Sequence, residues 1–170
     1  FDGYTGDTCA NVKKQRRPEC QPPMRSSAGP GSQTQQKAFQ SCCDSTRASV
    51  TCFAVAAKAT DADDTLALQA ALNCSTELLT VESSRTWKVQ PLLLMSTGPK
   101  RLLLEPGARI ESLPGAFHGT LDALLTVFET DGVHIEATGA VFHMRKEEFI
   151  NTSIYNHSEH RHALNIVGAQ

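Results

Sequence analysis

The chain has 170 residues, with 16 Lys and Arg against 18 Asp and Glu, and a formal net charge of -2. Because this balance includes no large basic block that would neutralise a phosphate backbone, the sequence predicts no nucleic-acid partner. It also contains no apolar run near the ~18 residues that a membrane span requires. Its length suits a packed globular domain.

Cysteines and glycosylation sequons indicate an extracellular or cell-surface location. All six cysteines precede residue 75, none has C-x-x-C spacing and no histidine precedes His118, so disulfides are favoured over a zinc site. Their connectivity stays open. The predicted disulfide cysteines are Cys9, Cys20, Cys42, Cys43, Cys52 and Cys74. Three N-x-S/T sequons predict glycosylation at Asn73, Asn151 and Asn156.

Residues 10–59 are predicted to be a Cys-containing linker rich in Pro, Ser and Gln. The stretch contains a basic run at residues 13–17 and a polar tract at 26–36, and this composition buries too little apolar surface to offset chain entropy. A solvated charge cluster explains the basic run better than a processing site or a polyanion contact. The adjacent Cys42 and Cys43, with Cys52, predict a small disulfide knot where the linker meets the folded part.

A helix is predicted over residues 64–73. Three aspartates precede apolar residues at helical spacing, among them Leu68, Ala71 and Leu72. Because the aspartates lack the spacing and the glycine of a calcium loop, helix capping explains them better than metal binding.

Short apolar runs separated by Gly and Pro turns follow this helix and predict strands. They are residues 79–81, 87–89, 92–95, 101–104, 109–111, 124–128, 133–135, 140–142 and 163–167.

A weak internal repeat predicts how these strands stack. Residues 107–111 align with 132–136, so that Ile110 would stack on Ile135, and residues 164–167 copy 125–128. A period in the twenties predicts a solenoid, and strands this short without an L-x-x-L-x-L pattern favour a parallel β-helix over a leucine-rich repeat. The same alignment would pair Glu105 with Glu129 and Glu111 with Glu136; exposed strand ends explain these glutamates better than a glycosidase pair does.

A solenoid needs its open end covered, since apolar interior and unpaired strand edges would otherwise face water. We expect the predicted helix to lay Leu68, Ala71 and Leu72 over the first coil. The sequence stops at Gln170 inside another coil, which predicts further coils in the intact protein.

Two resemblances to known families add to this interpretation. Residues 63–72 resemble the D-D-T-x-A-(I/L)-Q-x-A-(I/L) opening of the pectin-lyase-like superfamily, and residues 104–108, 133–135 and 138–140 resemble its early coils. The resemblance covers residues 60–170. It implies a mainly β fold: a right-handed parallel β-helix, or solenoid, with an N-terminal capping α-helix, truncated at the C-terminal end.

The start of the chain, residues 1–9, resembles the tail of an EGF-like module with its C-x-x-G-Y-x-G-x-x-C loop. This resemblance implies a fragment of a larger protein, in which the partner of Cys9 would precede Phe1. A glycine-rich turn beside an unrelated disulfide is the alternative.

The superfamily resemblance leaves activity open, because the superfamily includes polysaccharide-degrading enzymes, phage tailspikes and non-catalytic surface proteins. No motif of the polygalacturonase aspartates occurs here, so any catalytic residues are expected outside this chain, and the chain alone is expected to be inactive. No cofactor is predicted.

An insertion between Phe142 and Ala163 is the candidate substrate-binding segment. Two aromatic rings suit the apolar face of a sugar, and cations suit hydroxyls or uronate carboxylates. The candidates are Arg145, Lys146, Phe149, Tyr155, Arg161 and His162. A solvated, glycosylated loop explains the segment equally well. His157, His160 and His162 lack further ligands, so no metal site is predicted, and His162 has no better support as a catalytic base.

The sequence therefore predicts a secreted β-helix protein that binds or processes an extracellular polysaccharide, by hydrolysis or β-elimination if it is an enzyme. The alternative is a non-catalytic adhesion or structural protein, which an EGF-like neighbour favours. The oligomeric state is left open.

Overall fold

The computed structural model describes residues 33–43, 46–59, 62–96, 100–119, 121–151 and 161–168. Three α-helices come first: α1 (Gln33–Cys42), α2 (Val50–Ala57) and α3 (Thr65–Asn73). A 3₁₀ helix, Lys146–Ile150, precedes the last strand. The strands are β1 (Arg47–Ser49), β2 (Leu78–Val81), β3 (Thr86–Val89), β4 (Leu92–Leu94), β5 (Lys100–Leu104), β6 (Arg109–Ser112), β7 (Ala123–Phe128), β8 (Val133–Glu136), β9 (Val141–His143) and β10 (His162–Val167).

These strands form three short parallel sheets, with the orders β1-β2-β5-β8, β3-β6-β9 and β4-β7-β10. Strands β2, β3 and β4 belong to three different sheets, and the chain then returns to each sheet in turn with parallel pairing. The turn at Pro106 and Gly107 consequently joins two sheets and is not a hairpin. The fold is thus mainly β, and its sheets are built by repeated visits of the chain.

The predicted elements are confirmed one by one. Each of the nine predicted strands occurs within one residue of its expected limits, and α3 covers the predicted helix except for its first residue. The alternation of apolar and polar residues and the turn residues are local signals, which explains this agreement.

One apolar interior is shared by the three sheets. Strands β2, β3 and β6 alternate between half-buried and buried residues, so that one side of each strand faces inward. A small internal void is lined by side chains from all three sheets and from α3, including Leu68, Leu79, Ile110 and Leu125. Burying one such side chain fully stabilises the fold by about 1.5–3 kcal/mol, which makes this interior the main source of stability.

The stacking register predicted from the 25-residue repeat is wrong. Ile110 pairs with Trp87 and Phe142, whereas Ile135 pairs with Leu102 in another sheet. The chain returns from Leu102 to Ile135 only after 33 residues because the loop 113–122 lengthens this circuit. Strands of all three sheets alternate in the same way, so the 25-residue match aligned neighbours from different sheets.

The predicted glutamate pairs are also absent. Glu136 forms an ion pair with Arg101, and Glu105 accepts a hydrogen bond from the backbone N–H of Ser83 at 2.9 Å. Glu111 lies in register with Lys88 and His143. By contrast, the predicted copy of residues 125–128 by 164–167 is confirmed residue for residue in the pairing of β7 with β10.

The interval predicted as a linker contains folded structure. Its first part, residues 10–32, lies outside the described residues, but α1, β1 and α2 occupy most of 33–59. β1 adds to the first sheet beside β2, and α2 buries Val50, Phe53 and Ala54. Phe39 of α1 packs on Phe53 with ring centroids 5.9 Å apart. The low apolar content of the whole interval hid the short apolar segment of α2.

Disulfides attach these helices to one another. Cys42 bonds Cys52, and Cys43 bonds Cys74, which joins the end of α1 to α2 and to the end of α3. The predicted disulfide role is therefore confirmed for four cysteines and is compatible with an extracellular location. Cys9, Cys20 and the whole of the EGF-like resemblance lie outside the described residues. None of the helices in the described ranges has the length and apolar character to cross a membrane.

α3 covers the start of two sheets. It buries Leu68, Ala71 and Leu72, as predicted. The carboxylate of Asp64 accepts from Lys88 N–H at 3.0 Å, and Asp64 N–H donates to Lys88 C=O at 2.7 Å, which satisfies the free edge of β3. These contacts correct the capping expectation, because the Asp64 side chain makes no cap hydrogen bond to α3.

Gln69 does the same for the free edge of β4. Its amide donates to Leu93 C=O at 2.8 Å and accepts from Leu93 N–H at 3.0 Å, as a neighbouring strand would. The resemblance motif thus has a physical meaning here, since its aspartate and glutamine terminate two different sheets.

Replacing Gln69 by Leu should lower the free energy of unfolding by about 1–3 kcal/mol, because it leaves the backbone groups of Leu93 without partners. Urea denaturation measures the loss, and amide exchange at Leu93 should accelerate. Gln36→Leu on the exposed side of α1 is the control. Equal losses in the two variants would contradict the edge-closing role.

Lys100 is a buried cation at the other end of α3. Its ammonium donates to the carbonyls of Leu72 and Cys74, the latter at 2.7 Å. Burial lowers its pKa from the ordinary value. A cation here also suits the negative end of the helix dipole, so Lys100 connects β5 to the capping helix.

Candidate functional site

The outer side of the β3-β6-β9 sheet carries a group of charged residues. Trp87, Ile110 and Phe142 lie in one register row and pack in or against the core. Their neighbours therefore point outward. We call five of these outward residues the charged face: Lys88, Arg109, Glu111, His143 and Arg145.

Glu111 is the centre of the charged face. Its side chain is only 14% exposed, and its carboxylate accepts from Arg109 Nε at 3.1 Å and from Arg145 Nη1 at 3.0 Å. His143 Nδ1 lies 3.4 Å from Glu111 Oε2; it is shielded from solvent but lacks hydrogen-bond geometry, so this is a charge contact when the imidazole is protonated.

These contacts set the protonation states of the cluster. Burial raises the pKa of the Glu111 carboxyl, but the contacts from Arg109, His143 and Arg145 lower it by more, so its pKa lies below the usual value. The hydrogen bond to Glu111, helped by Glu148, raises the pKa of Arg145. The face therefore holds a permanent carboxylate between permanent guanidinium groups.

Arg145 also fastens the start of the insertion. Its Nε donates to Glu148 at 2.9 Å, and its backbone N–H donates to Ser112 Oγ at 2.9 Å. The second oxygen of Glu148 accepts from Gly115 N–H at 2.8 Å. The 3₁₀ helix is thereby held against both the sheet and the loop that follows β6.

A second contact fastens the far end of the insertion. The guanidinium of Arg161 lies 4.5 Å from the ring centroid of Phe149, and its Nη2 donates to His118 C=O at 3.3 Å. Phe149 is half-buried against the core. This cation–π contact covers one side of the ring, so that side is engaged within the protein.

The predicted substrate-binding residues divide into three groups. Arg145 belongs to the charged face, and Phe149 and Arg161 contact each other beside it. Lys146 is exposed at the start of the 3₁₀ helix, and His162 is exposed at the start of β10. Tyr155 lies outside the described residues.

The modification and metal predictions have a similar outcome. Asn73 is exposed at the end of α3 and Asn151 just after the 3₁₀ helix, whereas Asn156, His157 and His160 lie outside the described residues. Within the described ranges, no three His, Cys, Asp or Glu side chains are grouped to hold a metal ion.

Sequence reasoning missed Lys88, Arg109 and His143, and it gave Glu111 the wrong neighbour. These residues converge only through steps of 23 and 32 residues, between Lys88 and Glu111 and between Glu111 and His143. The available signal was the outward charge that flanks each inward apolar residue, and it needs the correct strand pairing to be recognised.

Replacing Glu111 by Gln should lower the free energy of unfolding at pH 7 by about 1–2 kcal/mol. Because the folded-state pKa of Glu111 is depressed, its contribution is present above the ordinary value of 4.5 and is lost as the pH falls through the folded-state pKa. The difference between wild type and variant should therefore shrink in urea titrations below pH 4.5. Glu147→Gln on the exposed side of the 3₁₀ helix is the control, and a difference that grew at low pH would contradict the arrangement.

Comparison of the chain with family models, with curated proteins and with solved structures gives no match.

Proposed function

We propose that the chain forms a right-handed parallel β-helix of the pectin-lyase-like type, with α3 as its N-terminal cap, in an extracellular protein that binds or processes a polysaccharide. Three parallel sheets around one interior and a helix that terminates β3 and β4 support this architecture. Right-handedness is the expectation for parallel strands joined by crossovers.

The charged face is the observation that carries the binding proposal. It presents forked guanidinium donors, a carboxylate and an imidazole on consecutive strands of one sheet, partly exposed and next to the fastened insertion. A solenoid repeats the same outward position on each coil, which suits an extended ligand with repeated hydroxyl and carboxylate groups. Catalysis by this protein, if present, would be hydrolysis or β-elimination of that ligand.

Compartment and neighbouring module belong to the same proposal. Two disulfides and two exposed sequons, at Asn73 and Asn151, support an extracellular or cell-surface location. The motif in residues 1–9 supports an EGF-like module before the β-helix.

A glycan panel tests this function. Binding of the purified chain to neutral and acidic polysaccharides is measured by calorimetry, and release of reducing sugar or unsaturated uronide is measured on the same panel. We expect at least one polysaccharide to bind, and Arg145→Ala to weaken it while Arg101→Ala does not. Arg101 is a suitable control because it forms an exposed ion pair with Glu136 on another sheet. Binding that survives Arg145→Ala but is lost in Arg101→Ala would contradict the assigned face.

A non-catalytic adhesion or structural role is the second candidate. The internal engagement of Arg145 with Glu111 and Glu148, and of Arg161 with Phe149, favours it, because these contacts hold the insertion in place. Absence of both binding and product release across the panel would select this candidate.

A further inference from the structure

We infer that the charged face contains a binding site for an anionic group, formed by Arg109, Arg145 and His143, whose affinity rises when His143 is protonated. The inference rests on the proposed polysaccharide function and specifies its ligand chemistry. The group it takes is a carboxylate or a sulfate on a glycan.

Unused donors are the first argument. Arg109 engages Glu111 through Nε, and its two terminal nitrogens have no acceptor among the described residues. Arg145 uses Nε and Nη1, which leaves Nη2. The two side chains are 36% and 39% exposed, so a ligand reaches them without displacing core residues. Guanidinium forks match the geometry of planar and tetrahedral oxyanions.

The position of the two arginines is the second argument. Arg109 binds one oxygen of Glu111 and Arg145 binds the other, so the carboxylate holds both guanidinium groups beside one another. Glu111 is thus a positioning residue for the site. Its own charge is compensated by these two contacts, which reduces its repulsion of a bound anion.

Charge balance around His143 is the third argument. The groups that face it are Glu111 and Arg109 on β6, Lys88 on β3, and Arg145 with its partner Glu148 after β9. Three cations against two carboxylates leave one positive charge with neutral His143. Protonation of the imidazole raises this surplus to two.

The orientation of the imidazole is the fourth argument. Its Nδ1 is shielded against Glu111, yet 38% of the side chain is exposed, so the edge with Nε2 faces solvent. A carboxylate beside Nδ1 favours the proton on that nitrogen. Neutral His143 therefore presents a lone pair to solvent, and protonated His143 presents an N–H donor to an anion. Imidazole is the side chain whose ordinary titration falls between pH 5 and 8.

A similar group on another sheet provides the matched control. Arg101 and His134 lie in register on the first sheet, and Arg101 forms an ion pair with Glu136. This group has one arginine and an exposed carboxylate, so it lacks the paired guanidinium groups of the charged face. His134→Gln and His143→Gln therefore remove comparable exposed imidazoles from two different environments.

Calorimetric titration at pH 5.5 and pH 8.0 tests the inference with three oligosaccharides of the same backbone: neutral, carboxylated and sulfated. An anionic ligand should bind roughly 10-fold more tightly at pH 5.5. His143→Gln should abolish this pH dependence and His134→Gln should preserve it. Arg109→Ala should weaken binding at both pH values, and Arg109→Lys should restore it only partly because the fork is lost. Thermal unfolding of each variant checks that it folds.

The possible outcomes are distinguishable. Preference for the sulfated or the carboxylated ligand supports the site and identifies the group. Binding of all three ligands with equal affinity at both pH values overturns the anion site and leaves the polysaccharide proposal standing. Absence of binding by every ligand at both pH values overturns both. Binding whose pH dependence survives His143→Gln overturns the role of His143.

Discussion

Replacing Asp64 by Ala should lower the free energy of unfolding by about 3–5 kcal/mol. The Asp64 side chain is completely buried, forms an ion pair with Arg85 and accepts from Lys88 N–H at 3.0 Å. Truncation leaves the Arg85 charge without this partner and the free edge of β3 without an acceptor. Arg85 also lies 4.9 Å from the Trp87 ring centroid, so the disturbance extends to a buried aromatic residue.

Asp63→Ala is the matched control for this prediction. Asp63 is exposed and accepts from Thr65 N–H at 2.9 Å, which is a local helix-start contact worth about 1 kcal/mol. Urea denaturation of both variants at pH 7 measures the difference. Losses of equal size in the neighbouring aspartates would contradict the role of Asp64 as the connection between α3 and β3.

Removing the Cys43–Cys74 disulfide should destabilise the protein more than removing Cys42–Cys52. The two bridges span 31 and 10 residues of chain. In the chain-entropy account, the longer loop contributes about 3.7 kcal/mol and the shorter about 2.7 kcal/mol. The longer bridge also anchors the end of the capping helix, whereas the shorter one joins two helices that already adjoin.

The double Ser variants of each pair test this order by urea denaturation. Cysteine pairs in adjacent positions such as 42 and 43 can exchange partners, so the ranking also checks the connectivity. A greater loss from removing the Cys42–Cys52 pair would contradict the assignment of bridges.

The local elements of this fold were predictable from sequence. Strand β6, for example, is preceded by Pro106 and Gly107, and Gly107 has a φ of +87°, a conformation that favours glycine. Helix α3 follows an acidic start and shows apolar residues at helical spacing. These signals depend on neighbouring residues alone, and the structure retains them.

Strand pairing was not predictable to the same degree. The circuits differ in length: β2 pairs with β5 after 23 residues, β5 with β8 after 33, and β7 with β10 after 39. A repeat search assumes a constant period, so it matched Ile110 with Ile135 across two sheets. The pair β7 and β10 was found because four consecutive residues of the two strands correspond in character.

The charged face was missed for the same reason, because its members meet only when the pairing is correct. Insertion residues were easier to single out, since a run of charges and aromatics stands out locally. Arg145 was found in that way, but its partner Glu111 lies 34 residues earlier and was assigned to a different stack.

Interstrand nuclear Overhauser effects test the central claim, that consecutive strands belong to three parallel sheets around one interior. The structure predicts contacts between the backbones of Leu93, Thr126 and Asn165, which are in register on β4, β7 and β10. It also predicts no close Hα–Hα contacts between β5 and β6, which lie in different sheets. Strong Hα–Hα contacts across the Pro106–Gly107 turn, as in an antiparallel hairpin, would contradict the account.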